Sequence, residues 1–167
     1  MGNQYLEPDL DRIYAAGSGG QKFPLGALHE DLMGRKFRFM KYNDGDGAVT
    51  PVAGYLAWGL DTGDEQWEVT CDYDSSTIKV LSKDPKGFAQ AAFTDGSYGW
   101  FQTYGYNRKN ITTDGNVAQN ERLMGGAANG AVDSWATGSE QIAIAREDDG
   151  TTTSTILDPG EAFITIE

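Results

Sequence analysis

SYGWFQTYGYN, residues 97–107, places five aromatic rings in a short run with polar flanks. Read as a β-strand, it sets Tyr98, Trp100, Gln102, Tyr104 and Tyr106 on one face and Gly99, Phe101, Thr103 and Gly105 on the other. A row of rings has two uses. It can stack sugars or bases, or it can pair across a sheet with rings such as Trp67 and Tyr73, each pair contributing about 0.2–1 kcal/mol beyond an Ala pair. The glycines opposite suit the close approach of another backbone or ring. The run is therefore read as a structural strand.

The same period of two recurs through most of the chain. In QWEVTCDY, residues 66–73, Trp67, Val69, Cys71 and Tyr73 point one way, and Gln66, Glu68, Thr70 and Asp72 point to water. STIKVLS follows after Asp74 and Ser75, which predicts a hairpin. RKFRFMKY, residues 35–42, puts Phe37 and Phe39 on one face and Arg38 on a wet one. GFAQAAF (87–93), QIAIA (141–145), TSTIL (153–157) and AFITIE (162–167) are short and β-rich, separated by turn stretches such as NDGDG and LDPG. With 22 glycines and no internal repeat, the expected class is all-β, a single-domain sandwich or barrel.

Two regions depart from this pattern. EPDLDRIYAA, residues 7–16, has Pro8 early, and Leu6, Leu10, Ile13 and Tyr14 fall at helical spacing. AGSGGQK then breaks it, so residues 1–22 read as an arm with one short helix on a flexible tether, and residues 23–167 as the β-rich domain. Residues 107–138 read as a long Gly-rich irregular stretch, functional or packed at an interface through Val117, Leu123, Met124 and Trp135.

Composition narrows the function. The 167 residues carry 25 acidic and 13 basic side chains, a net charge of −12. Such a surface repels phosphate, and the nearest basic group, Arg35, Lys36, Arg38 and Lys41, alternates with apolar residues along one strand, so nucleic acid is not an expected partner. No window approaches the apolar length of a membrane span, and MGNQYLEPDL lacks the regions of a secretory signal. Synthesis without an export signal, and no membrane partner, are the expectations.

Catalytic and metal signatures are weak. Cys71 is the only cysteine and His29 the only histidine; they read as a buried thiol and a turn residue. NDGDGAV, starting at Asp44, reaches Ala48 and Val49 where a calcium loop needs an oxygen ligand and glycine, so it reads as a hairpin turn. No metal or cofactor is expected. Glu65, Glu68, Asp72 and Asp74 are the carboxylates from which a glycoside hydrolase would be built, the least favoured alternative. Asn110-Ile111-Thr112 matches the N-glycosylation pattern, which carries little weight without a signal peptide.

Two segments together resemble a known family. FPLGALHEDLMGRKFRFMKYN, residues 23–43, resembles the opening of tailed-bacteriophage head decoration (cement) proteins: a Leu-Gly pair, a short turn, then a Gly-Arg-x-Phe-Arg-aromatic strand ending in Lys. Leu25, Gly26, Gly34, Arg35, Phe37, Arg38, Phe39 and Lys41 carry that pattern, with Met40 where Val is common. GSYGWFQTYG, residues 96–105, is similar to a mid-chain Gly-Tyr-Gly-aromatic-aromatic-Gln-Thr strand of such proteins, through Trp100, Phe101, Gln102, Thr103 and Gly105. The resemblance implies a non-enzymatic structural virion protein on the outer capsid surface. Its implied partners are the major capsid protein and neighbouring decoration subunits, in a homotrimer. Leu6, Leu10, Ile13 and Tyr14 of the arm are then the expected capsid contacts. The rival from another class is a carbohydrate-binding or host-attachment module that stacks glycans on Trp100, Tyr104 and Tyr106.

Overall fold

The structure is a computed structural model that describes residues 8–17, 19, 21–60, 66–74, 85–107, 109, 111–137, 139, 141–145 and, as backbone, 162–165. Every helix or strand among them is a strand. In chain order these are β1 (Leu28–Glu30), β2 (Lys36–Tyr42), β3 (Leu56–Gly59), β4 (Glu68–Thr70), β5 (Pro85–Ala89) and β6 (Tyr98–Asn107). Then follow β7 (Thr112–Thr113), β8 (Arg122–Gly125), β9 (Ala131–Ser134), β10 (Ala143–Ala145) and β11 (Ala162–Thr165). The fold is all-β, as the alternation predicts.

Five of the strands close into a ring. β2 pairs in parallel with β4, β4 antiparallel with β3, β3 with β5, β5 with β6, and β6 returns to β2. The strand that opened the reading is the hub. Its Phe101 and Gln102 face Arg38 and Phe37 across one edge and Ala89 and Phe88 across the other. Beyond the ring, residues Tyr104–Asn107 of β6 pair with β11, and the sheet continues through β10, β8, β9 and β7. The architecture is thus a small barrel with a sheet growing from one wall.

Ring closure explains a discrepancy with the one-wet-face reading. Met40 and Tyr42 of β2, Ala57 of β3, Val69 of β4, Ala89 of β5 and Phe101 of β6 fill the barrel interior together, joined by Cys71 and Phe93. The outer wall is covered twice over. Leu56 and Trp58 of β3 and Phe88 of β5 pack against Leu123, Val132 and Ala143 from β8, β9 and β10. Phe37, Phe39 and Trp100 pack beneath Tyr14, with Phe23 and Leu25 at the margin. Strands buried on both faces have no wet side. Glu68, Thr70 and Asp72, expected in water, are buried accordingly.

Other expectations are corrected by the topology. NDGDG is a turn but not a hairpin: β4 lies between the two strands it joins, β2 and β3. The 107–138 stretch is not irregular; it supplies β7, β8 and β9, and its Val117 and Leu123 belong to a core. The predicted STIKVLS and TSTIL strands lie outside the described residues. One glycine is demanded by packing. A Cβ at Gly125 would run into the Trp58 indole, so the smallest residue sits where the largest comes closest.

Candidate functional site

Residues 8–16 do not form the predicted helix. The Asp9 side chain takes the Asp11 amide (3.2 Å) and its carbonyl takes that of Arg12 (3.2 Å), making a turn. Tyr14 then pairs as an isolated bridge with Tyr98, each amide donating to the other's carbonyl at 2.9 Å. An i, i+3, i+4 spacing fits a turn followed by extended chain as well as it fits a helix. The expected contact residues consequently separate. Tyr14 is buried, edge-on to Phe39 (5.6 Å) and Phe23 (6.1 Å); Leu10 is half-buried against the same cluster; Ile13 is exposed. Leu6 lies outside the described residues. Lys109 Nζ pairs with Asp11 at 2.7 Å and pins the turn from the far side.

The family-pattern residues are brought together. β2 and β6 are neighbours, with Phe37 opposite Gln102, Arg38 opposite Phe101 and Phe39 opposite Trp100. Arg38 lays its guanidinium over Trp67 (4.7 Å) and donates to the Gly26 carbonyl (3.0 Å). Gly26, at φ +77°, has Trp67 against its α-carbon, leaving no room for a Cβ. Leu25 packs on the Phe39–Trp100 cluster, Gly105 lies against Arg35, and Gln102 is buried with its amide donating to the Tyr104 carbonyl at 3.1 Å. This group is a scaffold.

The ring platform is not formed. Trp100 is 2% exposed, between Phe23 (5.1 Å), Phe39 (5.3 Å) and His29 (5.9 Å), because the segment around Tyr14 and Phe23 folds over it. Of the three rings named for glycan stacking, Tyr104 alone is exposed, and it holds the Lys36 ammonium over its face. His29 sits in β1 rather than in a turn. Burial pushes the Cys71 thiol well above its ordinary value, which leaves it inert.

Two of the carboxylates considered for hydrolysis have structural duties, and Asp74 is exposed. Glu68 is paired with Lys41 at 3.0 Å, and Asp72, 1% exposed, accepts the Gly47 amide at 2.9 Å. Glu65 lies outside the described residues. Among the described residues no three His, Cys, Asp or Glu side chains are placed to hold a metal ion, and no helix is long and apolar enough to cross a membrane.

A surface feature escaped the sequence reading. β1 and β2 form a hairpin, with Leu28 opposite Arg38 and Glu30 opposite Lys36. Its tip, Asp31–Arg35, presents Leu32 and Met33 to solvent. The available signal was an apolar pair between Asp31 and Gly34, where turn chemistry favours polar residues. A groove beside the tip is lined by Leu10, His29, Leu32, Met33 and Arg35.

No family model and no curated protein matches the chain. Among solved structures, it is similar to the head fiber gp8.5 N base of bacteriophage phi29. Identity is 11%, the TM-score 0.49, and the match covers 78% of this chain and 94% of that one. At that level the likeness carries nothing about partners or activity.

Proposed function

We propose that this protein is a non-enzymatic component of a bacteriophage head that decorates and braces the outer capsid surface by non-covalent contact with the major capsid protein. The observation that carries the reading is the pairing of the two resembling blocks. Phe37, Phe39 and Trp100, drawn from segments far apart in the chain, build one aromatic wall of a closed barrel. The residues that carry the resemblance thus build a continuous scaffold, as a structural subunit needs.

The surface chemistry supports the same role. A net charge of −12 keeps free copies soluble and suits a position away from the packaged genome. Many copies on one lattice gain from weak contacts in parallel. Neighbouring subunits in a trimer belong to the proposal as well. Quantitative mass spectrometry of purified virions tests it: stoichiometry comparable to the major capsid protein is expected. Absence from particles, or only the few copies of a tail or spike component, would count against the reading.

A further inference from the structure

One buried carboxylate oxygen is left without a donor. Asp72 is 1% exposed, and its Oδ1 is buried with no hydrogen-bond partner. Buried carboxylates are normally paired, hydrogen-bonded or bound to a metal ion. The other oxygen, Oδ2, accepts the Gly47 amide at 2.9 Å. The carboxylate also sits on the Gly45 α-carbon, where a Cβ would run into it, and Gly45 takes φ +72°. Oδ1 stands 3.6 Å from where a Cβ of Gly47 would be, so it faces the same loop. The Asp72 amide donates to Thr70 Oγ1 at 3.0 Å, which fixes the residue in that position.

The loop in question is NDGDGAVT, residues 43–50. Counted from Asp44 it fails as a calcium loop, but counted with Gly47 as the sixth-position glycine it fits in part. Asp44 and Asp46 then fall third and fifth, Ala48 seventh, where the ligand is a backbone carbonyl, and Thr50 ninth. Two carboxylates are missing, because Tyr42 stands first and Ala53 twelfth. The fold supplies one from elsewhere. β2 and β4 are parallel neighbours, with Tyr42 opposite Val69, so the loop leaving β2 and Asp72 beyond β4 emerge side by side.

We propose that Asp72 and the 44–50 loop form a calcium site, with Asp72 in place of the missing first ligand and Asp44, Asp46 and the Ala48 carbonyl beside it. Calcium suits this donor set, since it takes about six to eight oxygens in loose geometry, water among them. Among the described residues no three carboxylates converge by themselves. Like charges repel at short range, and a divalent ion replaces that repulsion with attraction. Asp46 is exposed and flanked by Gly45 and Gly47, so the turn can close on the ion. Without a bidentate Glu the site is weak, with a dissociation constant on the order of 0.1–1 mM. The bound ion ties together the exits of two neighbouring strands.

The test uses the full-length protein, stripped with EDTA and dialysed. Calcium chloride at about 10 mM should raise the thermal midpoint by roughly 3–8 °C. In NMR titrations it should move the amide resonances of Gly45 and Gly47 and leave those of Thr112 and Thr113 in place. Magnesium chloride at the same concentration should do far less. Asp72→Asn keeps an acceptor for the Gly47 amide and should lose the calcium response. Asp44→Asn/Asp46→Asn, made on the surface loop, decides the matter should Asp72→Asn misfold. A wild-type protein whose midpoint and loop amides ignore calcium would overturn the site. An equal response to magnesium would reduce the effect to screening of the acidic surface and overturn it too. A calcium response that survives in the folded variants would place the ion elsewhere and end the proposal.

Discussion

Leu32 and Phe39 belong to the same hairpin and are treated oppositely. Phe39 is fully buried, with Tyr14, Phe23, Tyr98 and Trp100 around its ring; Leu32 stands almost wholly in water. Nothing local separates them. Phe39 is covered because distant parts of the chain return over its face, first the segment containing Tyr14 and Phe23, then β6. No described part of the chain returns over the tip. Burial in this molecule is decided by long-range closure, and Leu32 is an apolar residue that this closure leaves in water.

The sharpest contrast should come from the barrel interior. Phe101→Ala removes a ring stacked on Phe93 at 4.7 Å and should cost about 3–5 kcal/mol in urea unfolding. Leu32→Ala should stay within about 0.5 kcal/mol. Equal losses would erase the distinction between the two regions.

Gly125→Ala should follow, at about 1–3 kcal/mol, since the added methyl meets the flat Trp58 ring, itself held edge-on to Tyr73 at 5.5 Å. Its check is a lowered thermal midpoint with altered tryptophan fluorescence. Tyr14→Ala should cost less, about 1–2 kcal/mol, because it loosens a cover and leaves the ring of strands closed. Hydrogen exchange at Tyr98, whose amide bonds to the Tyr14 carbonyl, should rise well before exchange within β5.

The smallest effect belongs to the tip. Burial acts to raise the Asp31 pKa, but the hydrogen bonds and charge of Arg35, with the Met33 amide, outweigh it and hold the carboxyl below its ordinary 3.8. A depressed folded-state pKa means that the carboxylate steadies the turn above pH 3.8, and that this contribution fades as pH falls through the lowered value. Amide exchange at Met33 and Arg35, measured by NMR as the solution is acidified, should show local loosening. Asp31→Asn should remove that pH dependence.

The strands were legible where alternation is strong. RKFRFMKY became β2, and the aromatic run became β6. The solvent side given to QWEVTCDY was misread, because period two identifies two faces but cannot say that a ring will bury both. The helix over residues 7–16 failed because Asp9 offers the backbone a turn and Tyr98 offers Tyr14 a sheet edge. Residues 107–138 hid strands of two to four residues between glycines, too short for any period to register. As for surface chemistry, the sequence shows Leu32 and Met33 plainly, yet exposure is a property of what fails to cover them.

The two-edged bonding of β6 carries a mechanical implication. At Phe101 and Gln102 this strand is gripped on both flanks by antiparallel neighbours. Tension along its axis therefore loads those bonds in shear, so that they must yield together instead of unzipping one by one. A chain so constructed would carry tension through its backbone along β6 without coming apart.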